Sequence, residues 1–169
     1  AAVTLPAAYA TQDQRAQFFR QLDERLAASA GITAVSHATL LPAEGGILLA
    51  RRLQVDGREL PSGATAPQVI TINIAPRYFV TLDIGLKSGR DFSNLDGTPG
   101  HANLIVNERF VDVYLSGVDP IGQRVALTPT TAPAGTAPQW LTVVGVARQI
   151  RQQGPGGVAQ RVPVAYVPI

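Results

Sequence analysis

The sequence of 169 residues contains no cysteine and no methionine. Without cysteine there can be no disulfide, no thiolate metal ligand and no cysteine nucleophile. Because translation starts at methionine, we expect Ala1 to follow a processing or excision point and the chain to be a piece of a longer protein. No apolar run approaches the roughly 20 residues of a membrane span. We therefore expect any membrane segment of the parent protein to lie outside these residues.

Charge is sparse and evenly spread. Charged residues make up 15% of the chain, the net charge is +2, and Arg51-Arg52 is the only adjacent basic pair. Nucleic-acid binding requires a concentrated basic surface, which this distribution does not supply. Hydrophobic residues make up 46% of the chain, enough for a packed core. The composition therefore favours a folded domain without a nucleic-acid partner.

One helix is marked clearly near the amino terminus. Thr11 and Gln14 have the spacing of a capping box, and apolar residues then recur in steps of three and four through Ala30. Gly31 is expected to form a left-handed C-terminal cap. Strands are predicted at Ala1–Leu5 and Ile32–Leu41, so that this region would form a βαβ unit with parallel strands and a right-handed crossover.

The remainder of the chain alternates between strand and helix patterns. Turns are predicted at Glu44–Gly46, Asp56-Gly57 and Gly85–Ser93, and loops at Pro129–Pro138 and Gln152–Val158. This mixed order predicts an α+β fold with two interlocked subdomains. The predicted strands are Leu48–Val55, Gln68–Ala75, Asn103–Asn107, Arg124–Leu127, Trp140–Ile150 and Val162–Val167; the predicted helices are Pro76–Leu82 and Glu108–Leu115.

The motifs of catalysis and cofactor binding are missing. His37 and His101 are the only histidines, and their spacing matches no zinc motif. There is no nucleophile elbow and no phosphate-binding loop of an ATPase, and the Gly154–Gly157 run does not fit a dinucleotide site. We therefore predict no catalytic, cofactor-binding or metal-binding residue and no enzymatic activity. Trp140, the lone tryptophan, is expected to be a core residue.

Three acidic residues near the Gly85–Ser93 turn allow two readings. Asp83, Asp91 and Asp96 could form a calcium or acid–base cluster. The structural reading is favoured, because Asp91 and Ser93 can accept hydrogen bonds from backbone amides of a turn and Arg90 can pair with a carboxylate. The two glycines of the turn, Gly85 and Gly89, are expected at positions of positive φ or close backbone approach.

Several motifs in a fixed order resemble the MacB-like periplasmic core domain of FtsX-type ABC transporter permeases. The resemblance covers nearly the whole chain and consists mostly of turn chemistry, so it indicates an architecture more than an activity. The matching segments are Tyr78-Phe79, Gly89-Arg90-Asp91-Phe92, Val106-Asn107-Glu108, Asp119-Pro120-Ile121-Gly122, Val143-Val144-Gly145-Val146 and Tyr166-Val167-Pro168.

The resemblance implies a location and a role. Such domains lie on the periplasmic side of the inner membrane, between two transmembrane helices of a permease, and are not enzymes. ATP is hydrolysed by a separate or linked cytoplasmic ATPase domain. The outer domain moves with the transport cycle and acts on a periplasmic adaptor or substrate, in some branches for efflux. No partner-binding residue can be carried over, and the isolated domain is expected to be a monomer or weak dimer.

The resemblance also implies a division of the chain. A βαβ porter-like part would comprise residues 1–45, 68–84 and 158–169, and a smaller β-rich part would comprise 46–67 and 85–157. Both ends of the chain are expected to lie close together and to face the membrane. The alternative function is a periplasmic module that binds a lipid or small apolar molecule in a groove between the two parts.

Overall fold

A computed structural model describes residues 3, 5–7, 11–42, 49–58, 64–133, 135–150, 152–153 and 159–169. Within these residues the chain forms three helices and nine strands, a mixed fold that confirms the predicted α+β composition. The helices are α1 (Gln12–Ala27), α2 (Tyr78–Thr81) and α3 (Glu108–Tyr114). The strands are β1 (Leu49–Val55), β2 (Gln68–Ile74), β3 (Leu86–Gly89), β4 (Asn103–Asn107), β5 (Arg124–Pro129), β6 (Trp140–Ala147), β7 (Gln152–Gln153), β8 (Ala159–Gln160) and β9 (Val164–Pro168).

Six of the strands close into a barrel. The strand order is β3-β6-β4-β9-β2-β1-β5, and β5 also pairs with β6. Strands β2 and β9 are parallel, as are β4 and β6, whereas the other pairs in the barrel are antiparallel. The first half of β6 pairs with β5 and its second half with β3. Strand β3 is therefore an extension attached to the outside of a closed six-stranded barrel.

Two clusters of buried side chains lie on opposite faces of this sheet, because neighbouring residues of a strand point to opposite sides. We call them the inner core and the outer core. The inner core fills the barrel with Leu53, Val69, Leu104, Val106, Val125, Leu127, Leu141, Val143, Val146 and Ala165, together with Phe110 and Leu115 of the α3 region. The outer core contains Ile72, Ile74, Tyr78, Phe79, Phe92, Ile105, Ala147, Val164 and Tyr166.

The amino-terminal helix begins as predicted and ends early. Thr11 Oγ1 accepts from the backbone N–H of Gln14, and Gln14 Oε1 accepts from that of Thr11, so the capping box is present. The helix ends at Ala27, with Ala28 as a right-handed cap. Gly31 does have a positive φ of 85°, but it lies in the turn beyond the helix end. The predicted glycine cap is therefore wrong.

The predicted parallel βαβ unit is also wrong within the described residues. Of Ile32–Leu41, only Ala38 makes a β-bridge, and this bridge to Ile74 of β2 is antiparallel. On either side of the bridge, the Thr39 N–H donates to the carbonyl of Asn73 in β2, and the N–H of Ala75, just after β2, donates to the carbonyl of His37. The segment thus lies along the same edge of β2 as β1. It borders the end of β2, whereas β1 pairs with the beginning of that strand. Most of the predicted strand Ala1–Leu5 lies outside the described residues.

Other boundaries shift by a few residues. Helix α2 is a single turn starting at Tyr78, because Arg77 before it has a left-handed φ of 67°. The predicted loop at Gln152–Val158 begins with the short strand β7, which pairs with β8. Asp56-Gly57 forms the expected turn, with Arg58 N–H donating to the carbonyl of Val55. The predicted turn at Glu44–Gly46 and the glycine run 154–157 lie outside the described residues.

Candidate functional site: an ionic junction beside the outer core

The segment Gly85–Ser93, predicted as a turn, is an edge strand followed by a tight loop. Leu86–Gly89 forms β3 against β6, so its extended shape is set by a distant partner strand. Gly89 has a φ of 74°, and a side chain there would overlap the carbonyl of Val144 and lie 2.8 Å from the Cα of Gly145. Gly89 therefore meets both expected reasons for a glycine. Gly85 lacks the positive φ and would meet only the flexible side chain of Arg148.

Directly after Gly89, Arg90 binds the carboxylate of Asp96. Its guanidinium donates two hydrogen bonds, of 2.8 and 2.9 Å, one to each carboxylate oxygen. Ser93 donates to the same carboxylate from its backbone N–H and its hydroxyl, and Asn103 of β4 donates through its side-chain amide at 2.6 Å. These donors, chiefly the Arg90 guanidinium, hold the pKa of Asp96 well below its ordinary value.

We call Arg90, Asp91, Ser93, Asp96 and Asn103 the ionic junction. Asp91 accepts a 2.7 Å hydrogen bond from the backbone N–H of Phe92, whose ring is in the outer core. Burial, the largest influence, raises the pKa of Asp91. The predicted pairing of Arg90 with a carboxylate and the amide contacts of Asp91 and Ser93 are confirmed. The central role of Asp96 was not predicted, because its 1% exposed side chain is a property of the fold.

The acidic residues do not assemble a metal or acid–base site. Asp83 lies in the exposed turn after α2, with a positive φ of 54°. The carboxylate of Asp96 is already saturated by donors from protein side chains and backbone. Among the described residues there is no group of three His, Asp or Glu side chains that could hold a metal ion.

The two histidines take separate places. The His37 ring stacks on Phe19 of α1 at a centroid distance of 4.5 Å, and its Nδ1 lies 3.3 Å from a carboxylate oxygen of Asp23. His37 therefore fastens α1 to the extended segment beside β2. His101 is exposed in the turn before β4, where its backbone groups bond to Thr98 and Gly97. Neither arrangement resembles a general base poised beside a nucleophile.

A second polar cluster ties the edge strand to α3. Lys87 of β3 forms a 2.8 Å ion pair with Glu108, the first residue of α3. The other carboxylate oxygen of Glu108 accepts from the backbone N–H of Gln149 at 3.0 Å. The hydrogen bond between Lys87 and Glu108 is the largest cause of the lowered pKa of Glu108. The sequence analysis did not single out this cluster, because its members lie far apart in the chain.

The expectation that Trp140 is a core residue is wrong. Its side chain is only partly buried, and the guanidinium of Arg124 lies 5.4 Å from the ring centroid. It borders an open surface groove that also contains Val113 and Tyr114 of α3. Cation–π contacts of this kind add modestly to stability at exposed sites.

At the opposite end of the barrel from α3 lies a cavity of about 430 Å³, which we call the barrel mouth. All six barrel strands border it, because β1, β4 and β6 begin at this end and β2, β5 and β9 finish here. The strand residues at its rim are Arg51, Asn73, Asn103, Leu127, Leu141, Val167 and Pro168. The sequence gives no local signal for this cavity, since it exists only through closure of the barrel.

Comparison with solved structures shows which known proteins have a similar fold. The sequence matches no family model, and no curated protein is significantly similar to it. The fold is similar to the periplasmic region of MacB from Actinobacillus actinomycetemcomitans, with 17% identity and a TM-score of 0.55 over 88% of this chain and 54% of that one.

The fold is also similar to the extracellular domain of YknZ, a noncanonic ABC-type transporter from Gram-positive bacteria. The identity is 15% and the TM-score 0.52, over 88% of this chain and 60% of that one. The present chain thus spans little more than half of each of these structures. Among the described residues, no helix has the length and apolar character needed to cross a membrane. The chain has the fold of the MacB-like periplasmic core domain.

Proposed function

We propose that this chain is a non-catalytic extracytoplasmic domain of an FtsX-type ABC transporter permease. In this role it transmits conformational change between the membrane part and a periplasmic adaptor or substrate. The observation that carries the proposal is the shared fold with the periplasmic region of MacB and the extracellular domain of YknZ. A separate or linked ATPase would supply the energy, and efflux as the direction of transport is part of this proposal.

The division into a porter-like part (1–45, 68–84 and 158–169) and a β-rich part (46–67 and 85–157) is part of this proposal. In support, most outer-core residues belong to the first part and most inner-core residues to the second. Phe92, Ile105 and Ala147 are contributions of the β-rich part to the outer core. The ionic junction lies next to the outer core, in which side chains of both parts pack together. We therefore propose that force is transmitted between the two parts through this junction.

Cell location can be tested with single thiols, because the chain itself has no cysteine. In a cysteine-free full-length parent protein, Val118→Cys, which is 45% exposed, is expected to react with a membrane-impermeant maleimide in spheroplasts. Phe110→Cys, fully buried, is the matched control and should not react. Labelling of Val118→Cys only after lysis would place the domain inside the cell and end the proposal.

Force transmission can be tested at the ionic junction in the complete transporter. Asp96→Asn should lower transport more than ATP hydrolysis, because it weakens the junction without touching the ATPase. Asp56→Asn is the control, since the Asp56 side chain is half-exposed and its carboxylate lies 3.6 Å from the guanidinium of Arg124. An unchanged ratio of transport to hydrolysis in a folded Asp96→Asn protein would contradict a transmitting role for the junction.

A further inference from the structure

In the part of the chain that the structure describes, the barrel mouth combines a cationic side chain, Arg51, with an apolar floor. Along β1, Leu53 and Val55 pack in the inner core, so alternation directs Arg51 to the same inner face. Along β2, Val69 packs in the inner core and Thr71 is buried, so Asn73 likewise faces inward at the mouth. Cross-strand register agrees, because Arg51 lies opposite the inward-facing Val69.

Within the described part of the chain, the guanidinium of Arg51 makes no ion pair or hydrogen bond. Among the described residues that line the cavity there is no Asp or Glu. The adjacent Arg52 points to the other face and donates to the carbonyls of Pro129 and Ala132, at 3.2 and 2.9 Å. The two neighbouring arginines therefore differ: Arg52 holds the loop after β5, whereas Arg51 is available to a ligand.

The floor of the cavity is apolar. Leu127 and Leu141 are nearly buried, at 3% and 7% exposure, and Val167 packs against the inner core. Neutral polar groups stand around the rim, among them Asn73, Thr98 and Gln139. Cavities of ligand size commonly lie at barrel mouths and combine apolar walls with a few polar groups that orient the ligand.

We infer that the barrel mouth binds a small amphiphilic anion, with its carboxylate or phosphate on Arg51 and its apolar part over Leu127, Leu141 and Val167. Arginine suits both head groups, since its guanidinium presents parallel donors to two oxygens. The cavity of about 430 Å³ is large enough for a chain of several carbon atoms. The inference rests on the cavity alone and does not require the transporter role.

Calorimetric titration with probes of equal chain length tests this inference. Octanoate and octyl phosphate are expected to bind, and octyltrimethylammonium and octanol to bind at least about tenfold more weakly, which corresponds to about 1.4 kcal/mol. Binding of only one of the two anions would support the site and identify its head group. The inference would be overturned if none of the four probes binds at 10 mM, a concentration on the order of the weakest specific dissociation constants. It would also be overturned if the cation binds as tightly as the anions.

The two arginines provide matched variants. Arg51→Gln should weaken binding of the anion at least about tenfold, whereas Arg52→Gln should leave the Kd within about twofold. Amide chemical-shift changes on ligand addition should centre on Gly97–Gly100 and Leu141. Thermal unfolding of each variant checks the fold, and octanoate itself should raise the Tm of the parent but not of Arg51→Gln. Equal affinity of folded Arg51→Gln and parent would refute the site.

Discussion

Arg90 and Asp96 form a two-point ion pair in which the arginine is half-exposed and the aspartate almost completely buried, with side-chain exposures of 50% and 1%. The burial is asymmetric because Asp96 is also surrounded by donors from Ser93 and Asn103. A charged carboxylate is stable in such a place only while these donors remain. Asp96 is therefore the member of the pair on which the loop depends.

Asp96→Asn is expected to lower the free energy of unfolding by about 1–3 kcal/mol at neutral pH, because an amide group cannot accept all the hydrogen bonds of the carboxylate. Since the folded pKa of Asp96 is lowered, its stabilising effect is present above the unfolded pKa, near 4. The effect is lost as pH falls toward the folded pKa. Urea unfolding at several pH values should thus show the gap between parent and variant narrowing below about pH 4.

Asp91 provides the contrast. Burial raises the pKa of Asp91, so the charged form of this side chain is disfavoured in the folded state. Asp91 therefore lowers the free energy of unfolding increasingly as pH rises through its unfolded pKa. Asp91→Asn should therefore cost less than Asp96→Asn at neutral pH. Asp91→Ala should still lower the Tm, because the N–H of Phe92 loses its acceptor. Equal melting temperatures of Asp91→Ala and parent would remove Asp91 from the junction.

Gly89→Ala should be far more harmful than Gly57→Ala. Both glycines have similar positive φ values, 74° and 71°, so the backbone strain of about 1–2 kcal/mol is common to both. Only at Gly89 would the new methyl group meet β6, whereas at Gly57 no atom of the described residues lies within 4 Å of it. Chemical denaturation of the two variants measures the difference directly. Equal losses of stability would mean that β3 and β6 are not packed as closely as described.

Asn107 makes a fourth prediction, because its buried amide joins three elements. Its Oδ1 accepts from the backbone N–H groups of Phe110 and Val164, and its Nδ2 donates to the carbonyl of Val162. Asn107→Ala should lower the free energy of unfolding by about 3 kcal/mol, since buried backbone groups lose their partners.

Asn107→Asp is the matched variant. It keeps the acceptor and, when charged, loses the donor toward Val162. A protonated aspartate can still donate there, so this variant should lose stability as pH rises from 4 to 7, a range chosen about the usual aspartate pKa. A flat pH profile relative to the parent would show that the contact with Val162 contributes little.

Tyr78→Phe should be neutral or stabilising by up to about 1 kcal/mol. The Tyr78 hydroxyl is buried and has no hydrogen-bond partner among the described residues, and burial raises its pKa to about 12. Its protonated form is therefore favoured in the fold, and stability is lost as pH rises from the unfolded value near 10 toward 12. The variant should lose less stability over this range in a urea titration. A cost well above about 1 kcal/mol would imply a partner for the hydroxyl.

Much of the local structure could be predicted from the sequence, where neighbouring residues determine it. The capping box at Thr11 and Gln14 marked the start of α1, and the β-branched run of β2 marked a strand. Strand β3 could not be predicted in this way, because its residues have the composition of a turn and only pairing with β6 extends them. Likewise, Ile32–Leu41 has the pattern of a strand but forms a β-bridge only at Ala38.

The candidate sites were harder to predict than the local structure, because they depend on contacts between residues far apart in the chain. The pairing of Arg90 with a carboxylate followed from chemistry, but the choice of Asp96 depended on which acid the loop buries. The barrel mouth depends on closure between β5 and β6, whose contact joins Arg124–Ala126 to Trp140–Thr142. No local pattern distinguishes Arg51 from Arg52, since both are arginines on one strand. The face that each occupies follows from the register of β1.

Closure of the barrel also bears on how the domain behaves at high concentration. Strands whose backbone groups are already paired on both sides cannot add a strand from another molecule. At the open end of the seven-stranded sheet, β3 presents only four residues, among them the charged Lys87. So short and charged an edge is a poor template for intermolecular sheet growth. This exposed end of the sheet should therefore resist fibre formation even when the domain is concentrated.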